Sequence, residues 1–330
     1  MDFHTETLKD TILNLQDIHF DELALRIFNY QYQYNSTYKQ FVDYLGVDSS
    51  KVNSIYKIPF LPVHSFKYHT IKSSSWKSEV IFKSSSTSGQ GQSAHHISNL
   101  SWYQQIAERC FVDQYGPLSD YEWYGLLPSY LENGDSSLVY MVDHFIKRSQ
   151  NKGGFHLHNF DYLEAQLFET DSSKIKILIG VSYALLDYAN SYKVPSNCIV
   201  METGGMKGRR KEMPKESMHQ LLCDQLQVQA IHSEYGMTEL LSQSYAKQHG
   251  IMNRPFTQKI IIKDIRDPMA KLDHHQTGRI NIIDLANIDT CSFLATDDLG
   301  LTINEDQFMV RGRCDGSELR GCNLLIDGIL

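Results

Sequence analysis

The chain has 330 residues, a hydrophobic fraction of 42%, a charged fraction of 21% and a formal net charge of −8 at pH 7. This composition is typical of a globular protein with a substantial core, large enough for about two domains or one large layered domain. The excess of acidic residues argues against sequence-independent binding of nucleic acid.

Neither a secretory signal nor a membrane-spanning segment is expected. The N-terminal residues MDFHTETLKD include acidic side chains and lack an apolar run. The longest apolar stretch, residues 176–189, is interrupted by polar residues and is too short to span a bilayer. The six cysteines show neither a CxxC pair nor zinc-type spacing, as expected for free thiols. We therefore predict a cytoplasmic protein that does not insert into membranes.

The first part of the chain is predicted to be helical. Apolar residues such as Ile12, Leu23 and Phe28 recur over residues 1–46 at the spacing of a helix face. Residues 58–67 follow with two prolines, which favour an extended segment.

From residue 78 onward, short apolar strands alternate with helices. The predicted strands are 78–83, 122–128, 174–180, 197–203 and 228–232, and the predicted helices are 97–115, 136–148, 182–192 and 214–226. This alternation indicates an α/β fold with a mostly parallel sheet flanked by helices. After residue 257, strand-like segments between turn residues predict a β-rich subdomain. We therefore divide the chain into an α/β core with a helical N-terminus (1–256), a β-rich subdomain (257–312) and a hinge-like tail (313–330).

Four stretches carry residues suited to chemistry. They are a Ser/Thr/Gly stretch at 84–93, ETGGMKGRR at 202–210, SEYGMTEL at 233–240, and ATDDLG at 295–300 followed by VRGRCDG. In an α/β sheet, ligands bind in loops at the carboxyl ends of strands. Each stretch also has a purely structural explanation: a flexible surface loop, turn glycines with a solvated charge run, a helix cap at Thr238, or a hairpin turn at Asp297 and Asp298. Their order after successive strands favours one shared site.

The first stretch is placed between a predicted strand and a predicted helix. Glycine allows the backbone to approach a ligand closely, and hydroxyls with unbonded N–H groups can cradle a phosphate. No Gly-Lys-Ser/Thr follows, so this stretch is not a Walker A motif.

In this order the four stretches resemble the motifs of the adenylate-forming superfamily, which includes acyl-CoA synthetases, phenylacetate-CoA ligase-like enzymes and firefly-type luciferases. SSSTSGQGQ resembles the superfamily's phosphate loop, EYGMTE its Tyr-Gly-x-Thr-Glu motif, TDDLG its Thr-Gly-Asp motif and RGRCDG its Gly-Arg-x-Asp hinge. The resemblance covers roughly residues 58–325. It implies a large adenylate-forming domain with a β-rich terminal subdomain.

The resemblance also implies roles for individual residues. Contacts to ATP are implied for Ser86, Thr87, Ser88, Gly89, Gly204, Gly205, Lys207, Tyr235, Gly236, Asp298 and Arg313. Asp298 would bind the ribose hydroxyls, Thr238 would contact phosphate, and Glu239 would help to hold Mg²⁺ together with ATP. Cations and oriented N–H groups of this kind stabilise the charge that develops when a carboxylate attacks the α-phosphate.

The sequence departs from the superfamily pattern in two places. The phosphate loop usually ends in lysine, whereas Ser93, Ala94, His95 and His96 follow Gly91 and Gln92 here. Either the loop binds phosphate more weakly without this lysine, or His95 takes over part of the role of the lysine. Members also usually carry a mobile lid domain with a catalytic lysine beyond the hinge. This chain stops at Leu330, so we expect no C-terminal lid domain.

A narrower resemblance concerns the fatty acyl-protein synthetases of bacterial bioluminescence fatty acid reductase complexes. TGGMKG and GSELRGCNLL carry it, and members of that branch also end shortly after the second motif. In those enzymes an acyl-adenylate forms and the acyl group passes to a cysteine near the C-terminus, where Cys322 stands here. A thiolate suits this reaction, and Arg320 would lower the pKa of the thiol. The structural alternative is that Cys322 is a small packed residue. Cys314 is the competing thiol, and we expect it to be structural.

Three functions therefore stay open at this point. The first is an AMP-forming acyl-protein synthetase that uses ATP and Mg²⁺, activates a fatty or other carboxylic acid and acylates Cys322. The second is a ligase or acyltransferase that delivers the acyl group to CoA or to a carrier protein. The third is a non-catalytic subunit that binds a nucleotide or an acyl group. A reductase, a transferase or an acyl-carrier protein is the expected partner.

Overall fold

The computed structural model describes residues 3–15, 19–84, 91–127, 135–156, 159–169, 173–204 and 213–314. The chain forms two compact units. One contains the residues up to Trp76 together with those from Phe256 onward, and the other contains Lys77–Pro255. The N-terminal helices thus group with the β-rich segment. The division into 1–256, 257–312 and 313–330 stays a prediction. In the described part of the chain, no helix is long and apolar enough to cross a membrane.

The N-terminal segment is helical, as predicted. It forms α1 (Phe3–Leu13), α2 (Phe20–Tyr34) and α3 (Ser36–Tyr44). Asn35 ends α2, and its side chain accepts a hydrogen bond from the backbone N–H of Tyr38, which caps α3. The extended prediction for 58–67 is right only at its start: a short strand β1 (Leu61–Pro62) is followed by the helical turn α4 (Ser65–Tyr68). No proline lies between Pro62 and the end of α4, so the chain is free to enter helical geometry there.

The unit Lys77–Pro255 is built from alternating strands and helices. Its strands are β2 (Val80–Lys83), β3 (Ala94–Ile97), β4 (Tyr121–Leu126), β5 (Gly153–Phe155), β6 (Ile175–Val181), β7 (Cys198–Thr203), β8 (Ile231–Tyr235), β9 (Ser244–Ala246) and β10 (Ile251–Asn253). Its helices are α5 (Leu100–Tyr115), α6 (Ser137–Ser149), α7 (Phe160–Leu167), α8 (Ser182–Ala189) and α9 (Lys215–Leu226). The predicted α/β fold is confirmed.

The main sheet of this unit runs in the order β10-β9-β8-β7-β6-β4-β5. The strands from β8 to β5 are parallel, and β9 and β10 are antiparallel to their neighbours. All six residues of β4 are buried, as expected for a strand covered on both faces. Strand β8 begins three residues later than predicted, because Gln227 is left-handed (φ 59°) and Val228 bonds back to the carbonyl of Cys223.

The Ser/Thr/Gly stretch does not lead directly into a helix, contrary to the prediction. Strands β2 and β3 form an antiparallel hairpin in which Phe82 faces His95. The two histidines therefore belong to a strand, and the stretch is a hairpin connection. Helix α5 begins only at Leu100, and the Asn99 side chain caps it by accepting from the N–H of Trp102.

A charged pair is buried near the amino ends of the parallel strands. Lys176 of β6 lies opposite Glu122 of β4, with 3.5 Å between Nζ and Oε2. Their side chains are 2% and 5% exposed, and the hydroxyl of Tyr124 also donates to Glu122. Two charges so deeply buried are tolerated only when they are paired.

The second unit has an antiparallel sheet in the order β11 (Gln258–Lys263), β12 (Gly278–Asp284), β13 (Phe293–Thr302) and β14 (Gln307–Arg313). This confirms the β-rich prediction, and β1 adds to β13 in parallel. ATDDLG is neither a loop nor a hairpin turn, because it lies inside the ten-residue strand β13. A Cβ at Gly300 would lie 2.3 Å from the carbonyl oxygen of Met309, so β13 and β14 approach closely here.

Side-chain amides of α2 bind the turn that leads into β13. Gln31 donates to the carbonyls of Asn287 and Ile288 and accepts from the N–H of Ser292. Asn35 donates to the carbonyl of Thr290 at 2.9 Å. Both amides are buried, and they give backbone groups of an irregular segment the partners that a sheet would otherwise supply.

Candidate functional site

The Tyr-Gly-Met-Thr-Glu segment leaves the carboxyl end of β8. Tyr235 is the last residue of the strand, and a tight turn follows in which the N–H of Leu240 bonds to the carbonyl of Met237. Tyr235 to Thr238 are half-buried and Glu239 is buried. The segment therefore offers an aromatic ring, a hydroxyl and a carboxylate at the edge of the sheet where ligands bind in α/β folds.

His95 connects this segment to the hairpin that carries the Ser/Thr/Gly stretch. Its Nδ1 lies 2.7 Å from the carbonyl oxygen of Thr238. A carbonyl only accepts, so Nδ1 carries the proton and donates. Burial lowers the pKa of His95 to about 4, and the bond to Thr238 opposes this only in part. The sequence left open that His95 takes over part of the role of the missing lysine in the phosphate loop. A neutral side chain without exposed surface is not suited to that role.

A buried carboxyl group joins the ends of β7 and β8. Thr203 lies opposite Glu234 in the parallel register, and its hydroxyl donates to Glu234 Oε2. Burial raises the pKa of Glu234 to about 7, and Glu202 adds to this effect. A Cβ at Gly236 would lie 2.5 Å from Glu234 Oε1, so a larger residue at this position would displace the carboxyl group.

Beside it, Glu202 of β7 is ionised and paired. Lys215, the first residue of α9, places its Nζ 2.6 Å from Glu202 Oε1. Burial raises the pKa of Glu202, but Lys215 and His219 outweigh burial, and the pKa is lowered overall. Gly204 follows β7 with a left-handed backbone (φ 69°), and its carbonyl accepts from the hydroxyl of Ser182 at 2.8 Å.

His232 of β8 contacts α5. Its Nδ1 is 2.9 Å from the hydroxyl of Tyr115. Burial lowers the pKa of His232 to about 4, and Lys247 contributes to the shift. From its place just before the Tyr-Gly motif we predict that His232 lies near an acyl pocket, and that role stays a prediction.

In the second unit, Asp298 and Arg313 are cross-strand neighbours on β13 and β14. Arg313 Nε donates to Asp298 Oδ1 at 3.2 Å, and the aspartate side chain is 12% exposed while the arginine side chain is 75% exposed. The adjacent Asp297 pairs with His64 at 3.0 Å. Burial raises the pKa of Asp297, but His64 and the two arginines Arg313 and Arg279 lower it overall.

The described residues bring together part of the predicted site. Tyr235, Gly236, Thr238 and Glu239 form one segment, Gly204 ends the neighbouring strand β7, and Asp298 pairs with Arg313 in the other unit. Seven predicted residues lie outside the described ranges: Ser86, Thr87, Ser88, Gly89, Gly205, Lys207 and Cys322. Convergence of Thr87, Tyr235, Glu239 and Asp298 on one cleft therefore stays a prediction.

Sequence reasoning missed Glu234, Thr203 and His64 as members of these clusters. Glu234 and Thr203 each stand next to a motif glycine or tyrosine, and that adjacency was the available signal. Pairing between Thr203 and Glu234 depends on strand register, which the sequence pattern does not specify. His64 pairs with a residue more than two hundred positions away, and no local pattern indicates this contact.

The described cysteines behave as buried thiols. Cys110, Cys198, Cys291 and Cys314 are buried and Cys223 is half-buried. Burial raises the pKa of both Cys198 and Cys291 to about 12, which makes them poor nucleophiles. The burial of Cys314 confirms the expectation that it is a packed residue. Among the residues that the structure describes, no group of three or more His, Cys, Asp or Glu side chains could hold a metal ion.

Comparison with known proteins identifies the fold. No protein-family model and no curated protein matches the sequence. A 2-hydroxyisobutyryl-CoA ligase in complex with 2-HIB-AMP and CoA superposes with a TM-score of 0.66 at 11% identity, covering 92% of this chain and 76% of the ligase. The chain has the fold of adenylate-forming enzymes.

Two further proteins of known structure share this fold. ATP-bound MatB from Rhodopseudomonas palustris gives a TM-score of 0.52 at 14% identity, covering 71% of this chain and 47% of MatB. The O-succinylbenzoate coenzyme A synthetase MenE from Bacillus subtilis, in complex with AMP, gives 0.51 at 16% identity, covering 72% of this chain and 50% of MenE. The chain thus spans about half the length of these two enzymes, and at such identities the likeness shows the fold alone.

Proposed function

We propose that this chain activates a carboxylic acid with ATP, releases pyrophosphate, and transfers the acyl group from the resulting acyl-adenylate to a thiol. The observation that carries this proposal is the segment Tyr235–Glu239, which His95 holds to the hairpin bearing the Ser/Thr/Gly stretch. It stands at the carboxyl edge of a parallel sheet in a fold shared with enzymes whose structures contain ATP, AMP or an acyl-AMP.

The donor set on the described residues fits a nucleotide. Asp298 is held by Arg313 and keeps a partly exposed carboxylate, which suits a pair of ribose hydroxyls. Thr238 has its carbonyl engaged by His95, and its half-buried hydroxyl is suited to a phosphate oxygen. Glu239 is a single carboxylate, so Mg²⁺ would arrive with the phosphates of ATP. When bound, this ion neutralises charge on the phosphate oxygens.

In the first half-reaction, a carboxylate oxygen of the acid forms a bond to the α-phosphorus of ATP. The bond between that phosphorus and the bridging oxygen breaks, and pyrophosphate leaves with the electron pair. The role of the chain is to fix the nucleotide and to supply dipoles and hydrogen bonds to the phosphate oxygens as their charge develops. The segment Tyr235–Glu239, anchored through Thr238, is suited to this role because it does not need to reorganise.

In the second half-reaction, a thiolate sulfur forms a bond to the acyl carbon and AMP leaves with the electrons of the broken carbon–oxygen bond. We propose Cys322 as the acceptor on the strength of the RGCNLL motif. A fatty acid is the proposed substrate, and a reductase, transferase or acyl-carrier protein is the proposed partner. Delivery to CoA is the second candidate, which the CoA in the ligase structure favours.

Exchange of labelled pyrophosphate into ATP, measured with a panel of short, long and aromatic acids, tests the first half-reaction. We expect exchange with at least one acid and none without acid. Absence of exchange with every acid, while ATP still binds, would leave the chain as a nucleotide-binding subunit and contradict the proposal.

Intact-protein mass after incubation with ATP and the active acid identifies the acceptor. We expect a mass increase of one acyl group that hydroxylamine removes and that is lost in Cys322→Ser, with pyrophosphate exchange retained. Cys314→Ser is the matched control, because Cys314 is buried and its replacement should leave labelling in place. Labelling that survives in Cys322→Ser overturns self-acylation at that residue. Formation of an acyl-CoA without protein labelling would favour the CoA alternative.

A further inference from the structure

The β2–β3 hairpin forms a two-stranded sheet of its own and packs on the helices α5 and α6. The ring of Phe82 lies 4.9 Å from that of Tyr103 on α5 and 5.3 Å from that of Tyr140 on α6, between centroids. The two ends of the Ser/Thr/Gly stretch are joined at its base. The N–H of Ser84 bonds to the carbonyl of Ser93, and the N–H of Ser93 bonds to the hydroxyl of Ser84. The base of the stretch is therefore fixed to the hairpin.

His95 reaches from this hairpin to the segment that follows β8. It lies on β3, two residues beyond the base of the stretch, and its side chain is buried. Its Nδ1–H donates to the carbonyl of Thr238. The turn bond joins the N–H of Leu240 to the carbonyl of Met237, so the Thr238 carbonyl finds a partner in His95. One side chain thus connects the base of the stretch to the residue next to Glu239.

The spacing between these two parts matters for chemistry on a phosphate. Hydroxyl and N–H groups of the stretch, and the hydroxyl of Thr238, are the groups that would contact the phosphates of ATP under the proposed function. Groups from two parts of a chain stabilise developing charge together only when both are held in place. A displacement of about 1 Å can lower the rate about 100-fold.

We propose that His95 is a positioning residue: through its hydrogen bond to Thr238 it fixes the spacing between the base of the Ser/Thr/Gly stretch and the Tyr235–Glu239 segment. The positioning itself stands on the contacts described. Its consequence for adenylation rests on the proposed function.

Hydrogen exchange of the backbone amides of residues 238–240 tests the positioning without any need for activity. Leucine and asparagine have nearly the same shape, but only asparagine carries an N–H where Nδ1 lies. We expect faster exchange in His95→Leu and wild-type exchange in His95→Asn. His96→Leu is the matched control and should exchange like the wild type, because His96 Nδ1 lies 2.8 Å from Ser78 Oγ and not at the segment. Equal exchange in His95→Leu and His95→Asn overturns the proposal.

Adenylation supplies the functional readout. In His95→Leu the kcat of pyrophosphate exchange should fall about 10- to 100-fold with little change in KM for ATP, because the transition state depends on alignment more than the bound ground state does. His95→Asn should restore most of the lost kcat, and His96→Leu should keep the wild-type kcat. A loss confined to KM, or equal kcat in His95→Leu and His95→Asn, overturns the role in adenylation.

Nitrogen-15 NMR of the wild-type imidazole gives a check that requires no variant to fold. We expect the His95 signals of the tautomer that is protonated at Nδ1, since a carbonyl can only accept. The tautomer protonated at Nε2 would leave Thr238 without this donor and overturn the proposal. If the amides and the tautomer behave as expected but no acid supports pyrophosphate exchange, the positioning stands and the proposed function fails. If pyrophosphate exchange occurs but the amides of His95→Leu exchange as in the wild type, the positioning alone fails.

Discussion

In the unit Lys77–Pro255, the residues that resemble adenylate-forming motifs stand where strands end, whereas in the unit that contains Phe256–Cys314 they stand inside strands. Tyr235 closes β8, but Asp298 lies in the middle of β13 and faces Arg313 across the ladder. A parallel sheet collects its strand ends at one edge and leaves loops there for chemistry. In an antiparallel sheet, a side chain inside a strand points to one face of the sheet. The position of Asp298 is therefore set by the neighbouring strands and not by a loop.

Each unit encloses a charged pair, and in the unit with the N-terminal helices Lys9 and Asp289 are 2.8 Å apart with side chains 7% and 13% exposed. The parallel unit encloses the charged pair Lys176 and Glu122, and it holds two neutral histidines, His95 and His232. The other unit uses the uncharged amide of Gln31 to bind an irregular turn. Loss of a buried charge partner and loss of a buried amide partner should therefore differ in their effect on stability.

The largest effect is expected when Glu122 is replaced by leucine. The Lys176 ammonium would then be buried without its partner, which costs about 3–5 kcal/mol of unfolding free energy. The double variant Glu122→Leu/Lys176→Met should regain most of this loss, because no charge is left in the core. Urea denaturation of the wild type, the single variant and the double variant measures these unfolding free energies. A double variant no more stable than the single one would show that shape, and not charge, sets the cost.

A smaller effect is expected for Gln31→Leu in the other unit. The change leaves the N–H of Ser292 and two carbonyls without their buried partner, at a cost of about 2–3 kcal/mol. Gln33→Leu, at an exposed position on the same helix, is the control and should stay within about 0.5 kcal/mol. Denaturant midpoints compare the two variants, and equal midpoints would contradict the role given to Gln31.

Acid should weaken the parallel unit through its histidines. The pKa of His95 and of His232 is lowered to about 4 from an ordinary value of 6.5. The unfolded chain therefore binds more protons, and stability is fully present above pH 6.5 and is lost as the pH falls toward 4. Each histidine should lower the unfolding free energy by about 1.4 kcal/mol for each pH unit that the pH falls in this window.

The difference in unfolding free energy between the wild type and a His95→Gln/His232→Gln variant isolates the contribution of the two histidines from that of other titratable groups. Glu234 acts in the opposite direction, since its raised pKa lowers stability as the pH rises from 4.5 through about 7. Unfolding free energies of the two proteins, measured from about pH 7 down to about pH 5, should converge as the pH falls. A constant difference would contradict the assignment of neutral, buried histidines.

The smallest effect on stability is expected for Arg313→Ala. Its side chain is 75% exposed, so its pair with Asp298 is screened by solvent, and the change should stay within about 0.5 kcal/mol. Under the proposed function the same variant should nevertheless weaken ATP binding. Arg311→Ala, on the same strand and also exposed, is the matched control and should bind ATP like the wild type. Equal ATP affinity in the two variants would remove Arg313 from the nucleotide site.

The sequence predicted the elements whose pattern is local. Continuous apolar runs identified β4, β6 and β7, and apolar spacing identified the helices near the N-terminus. It did not predict β3, because His95 and His96 interrupt any apolar alternation and the strand depends on pairing with β2. It also placed ATDDLG in a loop, with a hairpin turn at Asp297 and Asp298 as the structural alternative, since adjacent aspartates favour turns when no partner strand is known.

Parts of the candidate site were beyond sequence reasoning for a related reason. The bond from His95 to Thr238 joins residues 143 positions apart, and the bonds of Gln31 join residues more than 250 positions apart. The raised pKa of Glu234 results from burial and from Glu202 on the neighbouring strand. Such contacts follow from register and packing, which composition and periodicity do not encode.

The central claim is that the chain forms an acyl-adenylate from ATP, and paired measurements of ATP affinity and pyrophosphate exchange test it most directly. The proteins are the wild type, Asp298→Ala and Glu239→Ala. We predict that Asp298→Ala raises the Kd for ATP, and that Glu239→Ala lowers the exchange rate more than it changes the Kd. Wild-type affinity and full exchange in both variants would contradict the account.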